Sequence, residues 1–269
     1  MQSLDKADGS PQNQQNLVRK EFDGISERYA RRVASCRSRR WKDLAWVPRL
    51  RNANILDVAC GPGTYSLELS RQATTVVGLD LAETMLHFAR RRGHRLAAST
   101  NLAFVQGDVL RLPFASARFD ICLCAFSFAH FPNPKNVVKE MLRVLRSGGL
   151  LAILDVVAPD NRRQRDLLNR LERSRERCYT RIRDAREFVR LFAGLPLRWE
   201  HRSTARRLVS FRQWIAASHL RLGTAAYQQA KRHFYETVTK QCDASSSPRL
   251  AGCRHYAYTV ARFVLCKNP

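Results

Sequence analysis

The chain has 269 residues, of which 45% are hydrophobic, and this size predicts one α/β domain with small helical additions. No apolar run reaches the roughly 18 residues that a helix needs to span a bilayer, so we expect no transmembrane segment. The formal net charge of +24 predicts attraction to nucleic acid, an anionic membrane surface or an acidic small substrate, unless the arginines merely occupy solvent-facing positions.

Residues 1–16 are polar and rich in Gln and Asn. They lack the apolar stretch of a signal peptide, so we expect a disordered tail. The eight cysteines of the chain are scattered without CxxC pairs, which is typical of buried thiols in a reducing compartment and predicts no metal site. We therefore expect a cytoplasmic protein, either a monomer or a homodimer.

Residues 17–50 show the apolar spacing of one or two amphipathic helices. Residues 51–158 instead alternate short apolar runs with helical patterns. The predicted strands are NILDVA (54–59), TVVGLD (75–80), LAFVQGD (102–108), FDICLCAF (119–126) and LLAILDVV (150–157). The predicted helices are TYSLELSRQ (64–72), AETMLHFARRR (82–92), which Gly93 should stop, and PKNVVKEMLRVL (134–145), which SGG should stop. This alternation predicts a Rossmann-like, doubly wound, mostly parallel sheet.

Residues 159–269 differ, because long Arg-rich helical patterns replace the alternation. The first predicted helix runs to about Cys178. The elements predicted after it are a helix at 184–194, an edge strand at 197–209, helices at 211–220 and 225–238 capped by Ser210 and Thr224, and a final strand at 255–268. We expect these helices to cap a substrate pocket, with an antiparallel C-terminal strand completing a seven-stranded sheet.

The stretch ILDVACGPGT, Ile55 to Thr64, joins the first predicted strand to the first helix through a glycine loop. Such a loop lets a ligand approach the backbone N–H groups at the positive end of the helix dipole. Gly61 and Gly63 carry no Cβ atom to block that approach and adopt positive φ freely. The alternative is that a tight strand-to-helix turn needs glycine for steric reasons alone.

Acidic side chains follow the first three predicted strands at one edge of the sheet. Asp80 ends the second strand, where a carboxylate can accept both hydroxyl groups of a ribose, and Asp108 ends the third. Asp57 lies just before the glycine loop. Ser66 replaces the third glycine of the nicotinamide-binding pattern. Three acids suit a ligand with a cationic end, a ribose and an adenine better than they suit a pyrophosphate.

Five stretches resemble the successive motifs of class I S-adenosylmethionine (SAM) methyltransferases, in order and in spacing: ILDVACGPGT, VVGLDLAETML, FVQGDVLRLPF, FDICLCAFSFAHFPNP and EMLRVLRSGGLLAI. The resemblance covers about Phe22 to Val157. Its nearest match is the type-11 group, which includes the ubiquinone/menaquinone C-methyltransferases. It implies a SAM-binding core at 51–158 and methyl transfer to a small-molecule acceptor that is aromatic, quinone-like or another secondary metabolite.

The same resemblance implies which residues contact SAM. They are Asp57, Gly61, Gly63 and Ala125 along the methionine part, Asp80 at the ribose, and Leu81, Met85, Asp108 and Val109 at the adenine. The segment EFDGISERYARR is similar to the family's N-terminal lid, so Phe22 and Tyr29 are expected to close over SAM. Ala30 departs from the family, whose members commonly carry an acid after that tyrosine.

His130, in SFAHFPNP, follows the fourth predicted strand beside the expected position of the methyl group. A neutral imidazole there can act as a general base on the acceptor, whereas the alternative is a cap or a packing role in the loop. Arg181 and Arg183 are candidates for pairing with an anionic acceptor. Two other functions stay open: an RNA or tRNA methyltransferase, which the charge favours although an N/D-P-P-Y motif is absent, and a non-catalytic SAM-binding protein.

Overall fold

The computed structural model describes residues 11–35, 44–95, 100–216, 218–243 and 255–269. Its strands are β1 (Asn54–Val58), β2 (Thr75–Asp80), β3 (Leu102–Gln106), β4 (Phe119–Ala125), β5 (Leu145–Val157), β6 (Leu197–Ser210) and β7 (His255–Lys267). Its helices are α1 (Pro11–Ser35), α2 (Thr64–Leu69), α3 (Glu83–Arg95), α4 (Pro134–Val144), α5 (Arg162–Arg173), α6 (Ala185–Phe192), α7 (Phe211–Ile215) and α8 (Ala225–Asp243), with a 3-10 turn at Phe128–His130.

The seven strands form one mixed sheet in the order β3-β2-β1-β4-β5-β7-β6. Strands β1 to β5 pair in parallel, whereas β7 pairs antiparallel with both β5 and β6. The predicted seven-stranded, mostly parallel sheet with an antiparallel C-terminal strand is therefore confirmed. Its order changes direction at β1, which places the carboxyl ends of β1 and β4 side by side, where open α/β sheets bind ligands.

Apolar side chains cover both faces of the sheet, because successive residues of a strand point to opposite sides. In β1, Leu56 and Val58 belong to one core and Ile55 to the other. Cys122 and Cys124 in β4 share the core of Leu56, as their spacing predicts. The free thiols of Cys60, Cys122, Cys124, Cys178 and Cys266 are all buried.

Residues after Ala158 build a further core on top of the C-terminal strands. Leu171 of α5 and Phe234 of α8 are fully buried there, together with Trp214 and Tyr256. The strand β6 closes the sheet on the far side, and most of its side chains are exposed. Trp199 in β6 is 44% exposed.

The predicted caps of this region are present in the structure. Ser210 accepts a hydrogen bond from the backbone N–H of Gln213 at 3.3 Å. Thr224 accepts one from the backbone N–H of Tyr227 at 3.2 Å. Each hydroxyl thereby satisfies a backbone donor in the first turn of its helix, as an N-cap does.

Two boundaries near the N-terminal half differ from the prediction. The helix α1 begins at Pro11, so residues 11–16 are helical, where a disordered tail was expected; residues 1–10 lie outside the described part. The helix α3 continues through Gly93 to Arg95. Gly93 does not stop it because this residue is buried in the helix and faces Leu67, 3.8 Å from the position of a Cβ atom.

Further differences follow α4 and α5. The strand β5 begins at Leu145, which pairs with Phe119, so the SGG sequence lies in a strand irregularity instead of ending a helix. Gly148 there has φ +70°. The Arg-rich helix α5 ends at Arg173, short of Cys178, and α7 ends at Ile215. The helix α8 continues to Asp243, beyond the predicted end at 238, and residues 244–254 lie outside the described part.

Candidate active site

The two glycines of the loop after β1 have similar backbone conformations but different surroundings. Both have positive φ, +54° at Gly61 and +69° at Gly63. A Cβ atom on Gly63 would lie 2.8 Å from the ring of Phe104, so this glycine is required for packing. A Cβ atom on Gly61 would meet nothing within 4 Å. The steric explanation thus holds for Gly63, whereas Gly61 faces open space that a ligand can enter.

Asp80 fixes the position of this loop. Its Oδ2 accepts a hydrogen bond from the backbone N–H of Gly61 at 2.7 Å, and its Oδ1 accepts one from Ala82 at 3.0 Å. Burial raises the pKa of Asp80, which these hydrogen bonds oppose. The side chain is partly exposed, and a carboxylate has about four acceptor positions, so it can still accept hydrogen bonds from a ribose.

Asp57 lies on the other side of the loop and is only 1% exposed. Its Oδ2 accepts a hydrogen bond of 2.6 Å from the hydroxyl of Ser66, at the start of α2. Burial raises the pKa of Asp57 to about 7. The serine that breaks the nicotinamide-type glycine pattern therefore ties α2 to β1, a role that the spacing of glycines did not reveal.

Asp108, beyond the end of β3, faces the N-terminal helix. Its Oδ2 accepts a hydrogen bond of 2.6 Å from the side-chain amide of Gln15 in α1. Its Oδ1 accepts one from the backbone N–H of Leu110 at 2.9 Å. Leu81 and Val109 are partly buried near the same edge of the sheet.

The helix α1 lies across this edge of the sheet. Met85 is 1% exposed and packs in a small cluster with Ile25, against which Phe22 and Tyr29 are placed. Asp23 accepts a hydrogen bond of 2.5 Å from the hydroxyl of Thr84. The predicted lid segment thus contacts α3, which carries Met85, while Gln15 earlier in the same helix contacts Asp108 beyond β3.

The loop after β4 is held by a carboxylate that the sequence analysis did not single out. Asp155 in β5 is 3% exposed and accepts hydrogen bonds from the backbone N–H groups of Ser127 and Phe128 at 3.0 and 2.9 Å. Burial raises the pKa of Asp155 to about 6. Phe126 has φ +58°, a costly conformation for a bulky residue. Ala125 and Phe126 are both partly exposed at the end of β4.

His130 lies in the turn that follows. Its Nε2 is 3.6 Å from an oxygen of Glu176, and its Nδ1 is 3.5 Å from the sulfur of Cys178. The ring of Phe22 meets the imidazole edge to face, with centroids 5.1 Å apart. Burial lowers the pKa of His130, although Glu176 opposes this. The imidazole is therefore neutral at pH 7, as a general base requires.

A buried ionic network supports Glu176. The guanidinium of Arg175 lies 2.7 Å from an oxygen of Glu176 and 2.7 Å from one of Glu172. Glu172 also accepts a hydrogen bond of 3.0 Å from the indole of Trp214. Since paired charges are held tightly in the interior, this network fixes the carboxylate that faces His130. The sequence did not predict this role of Glu176, because Glu176 lies beyond the segment that resembles the family and is far from His130 along the chain.

Arg183 and Arg181, the candidates for pairing with an anion, have different environments. Arg183 is buried and donates hydrogen bonds to the carbonyl groups of Phe128 at 2.7 Å and Phe131 at 3.2 Å. It therefore supports the turn that carries His130. Arg181 is exposed and pairs with Glu187 at 2.6 Å.

The residues at the carboxyl edge fit a nucleoside with a cationic substituent. The open space at Gly61 leaves room against the loop, and Asp80 keeps acceptor capacity for two hydroxyl groups. The hydroxyl of Thr64, at the start of α2, is a buried polar atom with no hydrogen-bond partner among the described residues. These features lie within one turn of the loop and are consistent with SAM, which the resemblance implies.

Comparison with protein families gives one match. Residues 56–153 match the family described as "Methyltransferase domain". The matched segment runs from the middle of β1 into β5, so it contains the glycine loop and the loop after β4. The family implies SAM as the cofactor.

Among characterised relatives, the demethylmenaquinone methyltransferase of Deinococcus radiodurans is 36% identical over 158 residues, which are 56% of this chain and 65% of that protein. The ubiquinone/menaquinone biosynthesis C-methyltransferase UbiE of Roseobacter denitrificans is 36% identical over 123 residues, 44% of this chain and 48% of that protein. The chain thus spans about half to two thirds of the length of these relatives.

Solved structures extend the likeness in fold to nearly the whole chain. The YcgJ protein of Bacillus subtilis gives a TM-score of 0.72 at 20% identity and covers 86% of this chain and 99% of its own. The cyclase SpnF gives 0.66 at 18% identity and covers 95% of this chain and 97% of its own.

In the part of the chain that the structure describes, no helix combines the length and the apolar character needed to cross a membrane.

Proposed function

We propose that the chain transfers a methyl group from SAM to a small-molecule acceptor, because residues 56–153 match the family described as "Methyltransferase domain" and include the glycine loop. One observation carries the proposal most directly. Asp80 binds the N–H of Gly61 at the point where the loop faces open space. The carboxylate of Asp80 therefore lies beside an unobstructed stretch of backbone. This arrangement suits SAM, whose ribose would bind the carboxylate and whose methionine part would lie along the backbone.

Each residue at the edge of the sheet has a role in this proposal. Asp80 accepts the ribose hydroxyls, while Asp108, Leu81, Val109 and Met85 surround the adenine. The sulfonium of SAM supplies an electrophilic methyl group. The loop at Ala125 holds the methionine part, so the acceptor approaches from the side of His130. Holding the reactants in line contributes on the order of 7–11 kcal/mol in well-oriented reactions.

His130 is proposed to take a proton from the acceptor. Burial keeps its imidazole neutral, and the edge-to-face contact with Phe22 places it beneath the lid helix. A positioned base of this kind accelerates a reaction by roughly 10²–10⁴-fold. The two relatives named above methylate quinone precursors according to their names, so a quinone-like ring is the acceptor that we propose.

The first experiment tests SAM binding by calorimetry. We expect the unchanged protein to bind SAM, and Asp80→Ala to lose measurable binding because the ribose loses its acceptor and the loop its anchor. Asp160→Ala removes an exposed acid after β5 and is the matched control, for which we expect unchanged affinity. Equal affinity of the two variants would contradict the proposed cofactor site.

The second experiment identifies the acceptor class. Purified protein is incubated with methyl-labelled SAM and, in separate reactions, with demethylmenaquinone chemically reduced to its hydroquinone, a metabolite extract and cellular RNA. The reduced form is needed because only the hydroquinone has a hydroxyl proton for His130 to take and a ring carbon that can attack the methyl group. We expect the label in the quinone or in a small molecule of the extract. Label in RNA would replace the proposed acceptor with a nucleic acid, and SAM binding without any transfer would favour a non-catalytic SAM-binding protein.

A further inference from the structure

A cleft of about 710 Å³ opens between α5, the segment 174–181 and the start of α8. Its volume lies within the range of small-molecule sites. The lining is strongly basic and includes five arginines: Arg165, Arg170, Arg173, Arg177 and Arg181. Asp166 is the one carboxylate among the described lining residues.

Three of these arginines have partners that fix their side chains. Arg165 pairs with Asp184 at 2.6 Å, and Arg181 pairs with Glu187 at 2.6 Å. Arg173 donates hydrogen bonds to the carbonyl of Thr180 at 3.3 and 3.1 Å and forms no ion pair with a carboxylate in the described part of the chain.

The other two arginines are exposed at the mouth of the cleft. Among the described residues, neither Arg170 nor Arg177 forms a side-chain hydrogen bond or a close ion pair. Arg170 acts at longer range on Glu236, whose pKa is lowered mainly by its hydrogen bond with Lys240 and in part by Arg170. His233 lines the same cleft, and its Nδ1 is buried without a hydrogen-bond partner in the described part of the chain. The cleft therefore combines pre-ordered cations with free donors, and the planar fork of a guanidinium matches phosphate oxygens in pairs.

The wall of this cleft is also the wall of the proposed active site. Glu176 and Cys178 contact His130, whereas Arg177, between them, lines the cleft. At the edge of that wall, His219 lines the cleft and lies 2.7 Å from Glu21 of α1. Glu21 directly precedes Phe22, whose ring contacts His130. The side chain of His219 therefore lies between a molecule in the cleft and the lid helix.

We propose that the acceptor carries a phosphate or diphosphate group in addition to its quinone-like ring, and that this cleft binds that group. Demethylmenaquinone, the probe named above, has no such group, so we expect it to be methylated more slowly than the acceptor in the extract. The proposal rests on the proposed function only in assigning the anionic group to the acceptor, because the cleft itself is independent of the SAM site. The described lining contains no Phe, Tyr or Trp, so it suits the charged end of a molecule and not its ring. The ring or chain to be methylated would extend past His219 towards His130.

The shape of the cleft favours a small anion over nucleic acid. Single-stranded nucleic acid is bound by basic grooves whose aromatic side chains stack on the bases. This cleft is a concave site without such side chains among its described residues. An anion with three or more oxygen atoms offers more acceptor positions to Arg170, Arg173 and Arg177 than a single carboxylate does.

The test measures binding of inorganic diphosphate to the full chain by calorimetry at constant ionic strength, so that general screening does not vary. The variant Arg170→Gln/Arg177→Gln removes the two cations that have no close ion pair and breaks no described side-chain hydrogen bond; it loses only the longer-range attraction between Arg170 and Glu236. The matched control Arg163→Gln/Arg186→Gln removes two exposed arginines that lie outside the described lining of the cleft.

We expect the cleft variant to bind diphosphate at least about tenfold more weakly than the unchanged protein, and the control to stay within about twofold. SAM affinity should be unchanged in both variants. Absence of diphosphate binding in the unchanged protein, or equal loss in both variants, would overturn the site. Loss of SAM binding with intact diphosphate binding would instead overturn the proposed function and leave the cleft standing.

A second arm separates an acceptor-borne group from a free anion or RNA. The metabolite extract is treated with phosphatase before incubation with labelled SAM. We expect the treatment to abolish transfer, and free diphosphate to inhibit transfer with untreated extract. Transfer that resists phosphatase would overturn the assignment to the acceptor, and RNA binding that depends on Arg170 and Arg177 while diphosphate fails to bind would assign the cleft to nucleic acid.

Discussion

His130 is almost enclosed by groups from two distant parts of the chain. Phe22 comes from the lid helix, while Glu176 and Cys178 come from the segment after α5. The motif SFAHFPNP places the histidine after β4, but it does not reveal these neighbours, because they are separated from it by many residues in sequence. The interpretation of His130 as a base or as a packing residue therefore depends on contacts that only the fold creates.

For His130 we expect the alanine variant to bind SAM normally and to turn over at least about 10²-fold more slowly. Because burial lowers the pKa of His130 below its ordinary 6.5, the rate of the unchanged protein should hold to a pH below 6.5 and then fall. Glu176 raises this pKa, so Glu176→Gln should move the fall to still lower pH. The measurement is the pH profile of the transfer rate.

A purely structural role of Glu176 would lower the rate at every pH without moving the profile. A fall in rate that stays at the same pH in Glu176→Gln, or that persists in His130→Ala, would contradict the assignment of the base. Asp155 and Arg183 act on His130 indirectly, because they bind the backbone N–H and carbonyl groups of the turn that carries it.

At the scale of elements, the loop between β1 and α2 has glycines for two different reasons, packing at Gly63 and ligand access at Gly61. The sequence alone does not distinguish these two reasons. Both glycines have positive φ, yet only Gly63 is packed against a neighbour, the ring of Phe104. Gly148 provides a natural control. It has φ +70° and, like Gly61, no atom within 4 Å of a Cβ position, but it lies in β5 away from the proposed site.

We expect Gly63→Ala to destabilise the fold by about 1–3 kcal/mol through backbone strain and the clash. Gly61→Ala and Gly148→Ala should each cost about 1 kcal/mol from the left-handed backbone alone. Only Gly61→Ala should also weaken SAM binding, since its methyl group enters the space left for the ligand. Urea unfolding and calorimetry measure the two effects; equal SAM affinity in Gly61→Ala and Gly148→Ala would contradict this role.

How well the sequence predicts an element depends on whether local residue pattern or tertiary packing determines it. The strands β1, β2 and β4 are continuous apolar runs between turns, so the sequence locates them almost to the residue. Helix ends are less predictable, because tertiary packing decides whether a glycine stops a helix, as Gly93 shows. The strand β5 begins early because Leu145 finds a partner in β4, which no local pattern records.

At the scale of the whole molecule, two buried carboxyl groups make stability depend on pH. Burial raises the pKa of Asp57 to about 7 and that of Asp155 to about 6. The folded protein therefore retains protons that the unfolded chain has already lost above pH 4. These groups stabilise the fold in acid, and this contribution is lost as the pH rises towards 7.

We expect Asp57→Asn to become more stable relative to the unchanged protein as the pH rises from about 4 to 8, by a few kcal/mol and at most about 4 kcal/mol. The amide keeps an acceptor for Ser66 and does not ionise. The free energy of unfolding in urea at both pH values measures this effect, with the exposed Asp160→Asn as the control. A difference between Asp57→Asn and the unchanged protein that does not vary with pH would contradict the burial argument.

The strand β6 is the open border of the sheet, since its 14 residues pair with β7 on one side only. A long unpaired strand border can recruit strands of other molecules and so lead to aggregation. Arg198, Arg202 and Arg206 follow one another along this border, and exposed side chains dominate it. Arg198 pairs with Glu200 at 2.8 Å, so we expect Arg202 and Arg206 above all to repel the same border of a neighbouring copy. On this expectation, part of the net charge of +24 opposes self-association and needs no external partner to explain it.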